Sequence, residues 1–482
     1  MMLDNMETKR RMSRGHTYLQ WTFSLFANIP LFLYGIESGW ISPISKYLQS
    51  ESSPTGYPVS DDELNWIVSS MSFAAIFGVP VYAYIADAFG RRLGVILLAL
   101  PQAISWILRL SYSSTTTLII ARIISGLASG GCFNIVPIYV KEISQDNIRG
   151  TLGTLSTLLQ TLGVLLAFII GAYLDYFTVN CIIMIFPIVA IILMLKAPES
   201  PAYLVKRGKI DDAVNAVALL RGLSKDDKDV LSIVDGMKKE EDYFQSLPKI
   251  TLLNILRRKS WRKAFILSML TFTFFELNGA IVIVTYASTI LRYTGVEFNI
   301  RPEIQALSFP IVMILGSLMV ATCVERVGRK PLLIMAFLVT SGSMFCMAIM
   351  MLIEINGGSA PGWLPVLVMI LCVFMYSGGV LPLSYIMMTE MFSFQIRAKL
   401  VGLVITYAWF LTFWVFHIHA LLSNNLGKYS AFLFYALINL AGAIFAFIWL
   451  TETKGKTEEE ILKTIVKGTR SKRDHNKTSS NI

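Results

Sequence analysis

Asp87-Ala88-Phe89-Gly90-Arg91-Arg92 is matched later in the chain by Glu325-Arg326-Val327-Gly328-Arg329-Lys330. Each stretch consists of an acid, two further residues, a glycine and two basic residues, and each lies between two long apolar segments. The two acids are 238 positions apart (87 and 325) in a chain of 482 residues. Charged side chains beside a bilayer are costly, so a cluster that recurs at matching places indicates a functional device. The repeat predicts a membrane protein built from two related halves.

Composition and hydropathy predict an all-α membrane protein. Apolar residues make up 54% of the chain and charged residues 15%, and the mean hydropathy is +0.59, far from the average of soluble domains. A membrane-spanning helix needs about 20 apolar residues. We predict twelve transmembrane helices in two six-helix halves: 18–40, 64–86, 93–110, 118–140, 151–173, 181–196, 264–291, 305–323, 331–353, 364–388, 401–422 and 431–450.

Basic residues lie mainly on one side of the predicted spans. They precede spans 1 and 7, follow spans 2, 4, 8 and 10, and recur in the tail. Because cytoplasmic loops carry an excess of Lys and Arg, both termini are predicted to be cytoplasmic. The net charge of +10 is then a topology signal. Since the sequence has no basic soluble domain, we expect no nucleic-acid partner.

This topology predicts five segments. Two six-helix bundles, 18–196 and 264–450, are joined by a polar linker, 197–263, on the cytoplasmic side. The linker is expected to be a cytoplasmic helical insertion, because its apolar residues alternate at helical spacing with acids at a helix start. A cytoplasmic N-terminus, 1–17, and a basic cytoplasmic tail, 451–482, flank the bundles.

Further charged landmarks repeat in the same order. A Glu followed seven residues later by Arg occurs after span 4 and again after span 10, with an offset of 248 between the halves. A Glu also follows the last span of each half. Such a series supports an internal duplication. These landmarks are Glu142, Arg149 and Glu199 in the first half and Glu390, Arg397 and Glu452 in the second.

These motifs resemble those of the sugar porter family of the major facilitator superfamily, over nearly the whole chain. Within the family, 198–204 and the end of span 1 at 39–43 are similar to insect trehalose-transporter-like members. The resemblance implies the major facilitator fold and sugar transport by alternating access. Besides the two charged loops, the resemblance is carried by Arg122, Gly126, Gly130, Pro137, Tyr139, Glu142, Arg149, Gly150, 198–201 and 452–455.

We interpret the repeated charges as a cytoplasmic gate. Ion pairs at the cytoplasmic ends of two halves can hold one transport state closed by biasing an equilibrium by a few kcal/mol. The alternative, topology anchoring with helix capping, explains Arg91 and Arg92 but not the matching acids. Ala83, Tyr84 and Ala88 stand where the family normally has Gly, Arg and Arg, which would weaken the N-terminal network. The predicted gate comprises Asp87, Arg91, Arg92, Glu142 and Arg149, with Glu325, Arg329, Glu390 and Arg397 as its partner.

Two ionisable residues inside the predicted spans, Glu37 and Arg122, are candidates for proton coupling. The family position that matches Glu37 is Asp in many proton-coupled members and Asn in facilitative ones. A carboxylate there can bind a proton, and a nearby guanidinium can change its proton affinity. A static ion pair, or a residue that faces a wet cavity, is the alternative. Arg109, near the outer end of span 3, is expected to snorkel towards water.

A sugar pocket needs planar amides for the hydroxyl groups and aromatic faces for the C–H surfaces. The family has these groups mainly in spans 5, 7 and 10, but this chain replaces several of them. Span 7 reads Phe275-Glu276-Leu277-Asn278-Gly279 where the family has two glutamines, and Tyr385 stands in place of a tryptophan. Helix packing and interhelical hydrogen bonds are the structural alternatives. The candidate substrate contacts are Gln160, Glu276, Asn278, Tyr385, Trp409 and Thr157.

A facilitative carrier for a hexose or a trehalose-like sugar fits this sequence best. A proton-coupled symporter using Glu37, a carrier of a non-sugar solute, and a nutrient receptor are the alternatives, and the short tail argues against the receptor. We find no nucleophile–base spacing, metal cluster or phosphate loop, so we expect no enzyme activity, cofactor or metal site. The expected partners are a small sugar, H⁺ in the symport alternative, and the lipid bilayer of the plasma membrane.

Overall fold

The structure, a computed structural model, describes residues 15–111, 114–248, 250–293, 301–358 and 361–467. Every regular element in these ranges is helical. Twelve helical segments are long and apolar enough to cross a membrane, which confirms the predicted number of spans and the all-α fold class. Most spans begin and end a few residues outside the predicted bounds, because charged residues at their ends also adopt helical conformation.

Span 1 is bent into three helices, α1 (Tyr18–Ala27), α2 (Ile29–Gly39) and α3 (Ile41–Leu48), so it continues beyond the predicted end at residue 40. Pro30 lies in the first turn of α2, where its missing N–H leaves no hydrogen bond unmade. The other spans of the first half are single helices: α4 (Asp61–Phe89), α5 (Arg91–Ser111), α6 (Thr115–Ile143), α7 (Asp146–Tyr173) and α8 (Tyr176–Met194).

The linker forms four short helices, as its sequence predicts. The first begins where the Ser200 side chain accepts a hydrogen bond from the N–H of Tyr203, with Pro201 in the first helical position. The second ends at Gly222, whose φ of 63° is the left-handed conformation that glycine adopts at helix ends. The four helices are α9 (Pro201–Lys206), α10 (Ile210–Arg221), α11 (Lys228–Ser246) and α12 (Leu252–Arg257).

Two spans of the second half contain breaks. Span 7 consists of α13 (Lys259–Glu276) and α14 (Ala280–Thr285) and is followed by α15 (Ala287–Tyr293). Span 10 changes hydrogen-bond pattern at a π-helical turn (Tyr376–Val380). The remaining elements are α16 (Pro302–Gln305) and α17 (Ser308–Val327) in span 8, α18 (Arg329–Ile355) in span 9, α19 (Trp363–Met375) and α20 (Leu381–Met391) in span 10, α21 (Phe394–Leu426) in span 11, α22 (Lys428–Trp449) in span 12, and α23 (Glu458–Lys467) in the tail.

Glycines allow close helix crossings in the first half. A Cβ on Gly35 would lie 1.9 Å from the carbonyl oxygen of Gln160, and one on Gly163 would lie 2.0 Å from that of Phe32. Backbones this close exclude any larger residue, a packing mode common between membrane helices. Spans 1 and 5 are therefore held together by two glycines, one on each helix.

The contacts divide the chain into two compact units. The first unit contains Met1–Ser38 and Ser70–Lys249, and the second contains Gly39–Ser69 and Ile250–Ile482. The end of span 1 and the start of span 2 thus belong to the second unit. The predicted segment boundaries stay predictions.

Candidate functional site

The first charged cluster surrounds Arg91 at the start of α5. Its Nε donates to Oε2 of Glu142 at 3.1 Å and its Nη2 donates to Oε1 of the same carboxylate at 3.3 Å. Its Nη1 lies 3.4 Å from Oδ1 of Asp87. The side chain of Glu142 is 17% exposed and that of Asp87 is 65% exposed. Since exposed pairs are screened by water, the Glu142 pair contributes more.

The second cluster has the same design around Arg329, at the start of α18. Its Nη2 donates to Glu325 at 2.9 Å and to Glu390 at 3.1 Å. Glu325 and Glu390 thus correspond to the two acids around Arg91, Asp87 and Glu142. They match these acids both in sequence position and in their contact with the central arginine. All these pairs lie within one unit each, and pairing between the two clusters stays a prediction.

A glutamate after the last span of each half caps the helix that follows the charged loop. Glu199 accepts hydrogen bonds from the first two backbone N–H groups of α5, at 2.9 and 3.0 Å. Glu452 accepts the equivalent bonds from α18, at 3.1 and 3.0 Å. Gly90 and Gly328 precede these helices with φ of 107° and 103°. A carboxylate at a helix N-terminus satisfies free N–H donors and complements the helix dipole.

The other predicted gate residues lie beside these clusters. Arg92 donates to the backbone carbonyl of Met194 at 3.2 Å, at the end of α8. Arg149 and Arg397 each donate to the backbone carbonyl five residues earlier. Their described ion pairs are with Asp146 and Glu458, at 2.5 and 3.5 Å. These contacts fix the turns that follow spans 4 and 10.

The pKa values of the two capping glutamates are shifted in opposite directions although their places are equivalent. Burial raises the pKa of Glu199 above its ordinary value, despite the N–H groups that donate to it. Burial also acts to raise the pKa of Glu452, but four backbone N–H donors outweigh it and lower that pKa. The pKa of the capping glutamate is therefore shifted in opposite directions at equivalent positions of the two halves.

We predict opposite pH responses from these caps. A lowered folded pKa stabilises the fold above the unfolded pKa of about 4.3, and this contribution is lost as pH falls through the folded value. A raised folded pKa has the opposite effect, because the folded protein then binds the proton more readily. At neutral pH Glu452→Gln should therefore lower the melting midpoint in detergent more than Glu199→Gln, and the difference should shrink near about pH 4. Equal losses at neutral pH would contradict this assignment.

A buried ion triad joins spans 1, 3 and 4 in the first unit. Nη2 of Arg109 donates to both carboxylate oxygens of Glu37, at 2.9 and 2.7 Å. Nη1 of Arg122 donates to Oε2 of Glu37 at 2.8 Å and to its backbone carbonyl at 2.7 Å. Glu37 and Arg109 are 0% exposed and Arg122 is 1% exposed. One carboxylate is thus shared by two guanidiniums that are removed from water.

The expectation that Arg109 snorkels was wrong. Its side chain is fully buried, its guanidinium lies over the ring of Trp106 at 4.0 Å, and it donates to Ser105 at 3.1 Å. The physical reason is that Glu37 offers a counter-ion inside the span, which offsets the cost of leaving water. The sequence signal for this role was an ionisable residue, Arg109, among apolar residues. Its partner Glu37 could not be recognised from the sequence, because it lies 72 residues away.

Glu276 lies at the end of α13, directly before the break in span 7. Its Oε2 accepts a hydrogen bond from Oγ1 of Thr412 at 2.8 Å. Gly279 forms the break with a φ of 84°, and a Cβ there would lie 2.4 Å from the ring of Tyr435. Trp409 lies three residues before Thr412 on span 11 and is buried. Spans 7 and 11 thus bring a carboxyl group and a hydroxyl together at one helix end.

Aromatic side chains surround the same end of α13. The ring of Tyr385 packs edge-on against Phe272, at 5.1 Å between centroids, and against Phe275, at 6.1 Å. Phe275 also stacks on Tyr376, the first residue of the π-helical turn, at 6.0 Å. Such turns occur frequently at functional sites. The predicted residue Tyr385 therefore packs against the last turns of α13, the helix that ends at Glu276.

Asn278 is buried within the break itself. Its Oδ1 accepts from the N–H of Ala280 at 2.8 Å, and its backbone carbonyl accepts from Asn439 at 2.9 Å. Its Nδ2 has no hydrogen-bond partner among the described residues. Asn278 holds the break in place and keeps one donor for a further contact.

Gln160 and Thr157 lie in α7 of the first unit, and both are half-buried. The backbone carbonyl of Thr157 accepts from the hydroxyl of Thr161 at 3.0 Å. Contact of Gln160 or Thr157 with a substrate stays a prediction. Thr412 and Asn439 were not singled out from the sequence, because a hydroxyl or an amide in a span is common and only tertiary packing shows its partner.

The comparisons with known proteins agree with this architecture. The family model described as "Sugar (and other) transporter" matches residues 23–464. Facilitated trehalose transporter Tret1 of Culex quinquefasciatus is 26% identical over 448 residues, which cover 92% of this chain and 85% of that protein. Tret1 of Anopheles gambiae is 26% identical over 441 residues, which cover 91% of this chain and 55% of that protein.

Solved structures show the same fold. The xylose transporter XylE from E. coli, in a partially occluded inward-open conformation, matches with a TM-score of 0.75 and 20% identity, over 91% of this chain and all of that one. This likeness supports the predicted twelve-helix architecture of the major facilitator superfamily. Because the family model covers most of the sequence, the chain belongs to the Sugar (and other) transporter family.

Proposed function

We propose that this protein is a facilitative carrier that moves a hexose or a trehalose-like sugar across the plasma membrane by alternating access, with both termini in the cytoplasm. The observation that carries the proposal is the group at the break of span 7. Glu276 and Thr412 supply hydrogen-bonding oxygens at the end of α13, and the last turn of the same helix carries Phe275, which packs on the ring of Tyr385. Polar groups for hydroxyls next to aromatic faces are what a sugar requires. The relatives named as trehalose transporters support the same substrate class.

The ion triad favours facilitated transport over proton symport. The Glu37 carboxylate is held by two buried guanidiniums, those of Arg109 and Arg122. A buried ion pair that loses one partner is strongly unfavourable, so we expect the triad to stay intact through the transport cycle. Glu37 therefore acts as a structural anion that holds spans 1, 3 and 4 together.

The two charged clusters supply the gate in this proposal. Each holds a buried arginine, Arg91 or Arg329, between acids at the cytoplasmic end of its half. Exchange between transport states needs two conformations of similar free energy. A few ion pairs that form in only one of them are sufficient to shift that balance.

Uptake of radiolabelled D-glucose and trehalose into oocytes tests the function. We predict saturable uptake of at least one sugar that is the same at mildly acidic and at neutral external pH. Water-injected oocytes give the background, and surface biotinylation confirms delivery to the membrane. Acid-stimulated uptake would support the proton-coupled alternative, and surface expression without uptake of either sugar would turn the search to other solutes.

A further inference from the structure

A polar cavity of about 110 Å³ lies in the second unit, away from the group around Glu276. It is bounded by the end of span 1, the start of span 2, the segment after the break of span 7, and the facing ends of spans 11 and 12. The positive-inside pattern assigns this end of the spans to the extracellular side. The residues that line it and carry the argument are Gln49, Asp61, Asn65, His419, Ser423 and Lys428.

Three buried polar atoms among the lining residues have no hydrogen-bond partner in the described part of the chain. They are Oδ1 of Asn65, Nδ1 of His419 and Oγ of Ser423. Asn65 is 7% exposed, and its Nδ2 is already hydrogen-bonded to His417 at 3.0 Å. Buried polar groups are nearly always satisfied, and leaving one unpaired costs about 1–3 kcal/mol. Three such atoms around one cavity indicate a polar ligand.

The cavity also has an aromatic wall. The imidazole of His419 is stacked between the rings of Tyr286 and Tyr435, at 6.0 and 6.1 Å between centroids. Tyr286 and Phe432 line the cavity beside it. Stacking fixes the orientation of the imidazole, so Nδ1 is held in place rather than free to follow the ligand. A fixed ring face with polar atoms around it suits a ligand that has both C–H surfaces and hydroxyl groups.

The charges that line the cavity balance each other. Asp61 and Lys428 contribute one negative and one positive side chain, and Nε2 of Gln49 donates to Asp61 at 2.6 Å. An anion or a cation would meet a like charge there, so the lining favours a neutral ligand. The cavity is large enough for several waters and is partly open, so a ligand ring can enter it by displacing them.

We propose that this cavity is an outer sugar-binding subsite, separate from the group around Glu276, which takes one neutral pyranose ring before transport. The proposal rests on the function proposed above, because the ring is a substrate on its way into the carrier. Asn65, His419 and Ser423 provide its hydrogen bonds, and the rings of Tyr286 and Phe432 provide its aromatic wall.

Influx and efflux kinetics of radiolabelled D-glucose and trehalose test the subsite. Asn65→Leu and His419→Phe remove one polar group each, and His419→Phe keeps the stacked ring. Each variant should raise the half-saturating sugar concentration for influx about fivefold, which is the effect of one lost hydrogen bond. The half-saturating concentration for efflux should stay unchanged. The matched pair Asn424→Leu and Asn425→Leu is the control. Both neighbours are asparagines, but only Asn424 lines the cavity. Asn425→Leu should therefore leave the half-saturating sugar concentrations for influx and for efflux unchanged.

The outcomes separate this subsite from the proposed function. Wild-type uptake with influx values unaltered in Asn65→Leu and His419→Phe would overturn the subsite and leave the function standing. Equal changes in influx and efflux would also overturn it, because they would indicate a general effect on the carrier. Saturation-transfer NMR of purified protein with D-glucose covers the remaining case. A signal that His419→Phe removes, in a protein without uptake, would support the subsite and contradict the carrier function, and no signal without uptake would overturn both.

Discussion

Glu37→Gln is expected to be the most damaging single substitution in the transmembrane core. It removes the carboxylate of the buried triad, so the guanidiniums of Arg109 and Arg122 lose the negative charge that they share. Breaking a buried ion pair from one side costs about 3–5 kcal/mol. We therefore predict a lower melting midpoint in detergent, reduced surface expression and loss of uptake. Thermal melts and surface biotinylation measure the structural part of this effect.

Substitution of Arg109 provides the matched comparison. The wild-type triad holds two positive charges and one negative charge, so Arg109→Gln removes an excess charge whereas Glu37→Gln adds one. Arg109→Gln should thus cost less than Glu37→Gln, even though it loses the contact with Trp106. The double variant Glu37→Gln/Arg109→Gln restores the wild-type excess of one positive charge and should recover part of the lost stability.

This charge argument also distinguishes an anchoring role from proton coupling. If Glu37 only anchors the spans, uptake that returns in the double variant should be as insensitive to pH as wild-type uptake. Proton coupling predicts a different result: acid stimulates uptake by the wild type, and the double variant folds but has lost this stimulation. That result would make Glu37 the coupling residue. A double variant less stable than Glu37→Gln would show that charge balance is not what holds the triad.

Much of the fold could be predicted because its signals are local. Each span is a run of apolar residues, and each cytoplasmic loop carries its own basic residues. The breaks were harder to predict. Gly279 can be recognised as a glycine, but its left-handed conformation and its packing on the Tyr435 ring depend on the tertiary structure. The π-helical turn at Tyr376–Val380 likewise depends on the close approach of Gly316 to Ser377.

The candidate site was less predictable for the same reason. The repeat predicted that Arg91 and Glu142 belong to one cluster, because only charged residues that recur at equivalent positions in both halves were candidates for it. It did not predict that Glu199 and Glu452 cap α5 and α18, the helices that follow the two charged loops. The offsets marked these two residues as equivalent, but the hydrogen bonds to backbone N–H groups more than 100 positions away are tertiary contacts.

Glu276→Gln is expected to have the largest effect on transport with the fold retained. Its carboxylate accepts from Thr412 and lies at the helix end where the aromatic group meets the break. A buried polar group that loses its hydrogen-bond partner costs about 1–3 kcal/mol, so uptake should fall roughly 5- to 100-fold. The glutamine keeps the shape and one acceptor, and therefore the melting midpoint should change little.

A pair of threonines on span 11 separates a substrate contact from a packing role. The hydroxyls of Thr412 and Thr406 each lie within hydrogen-bond distance of the backbone carbonyl four residues earlier, but only that of Thr412 also lies within hydrogen-bond distance of Glu276. Thr412→Val should therefore reduce uptake severalfold by releasing the carboxylate from its fixed orientation, whereas Thr406→Val should leave uptake close to wild type. If Glu276→Gln and Thr412→Val each lower both the melting midpoint and uptake, the carboxyl group of Glu276 serves packing. The sugar must then be bound elsewhere. Loss of uptake in both variants at an unchanged midpoint would instead make this helix end the place where the carrier holds its substrate, because a packing group cannot be removed from a break in a span without loss of stability.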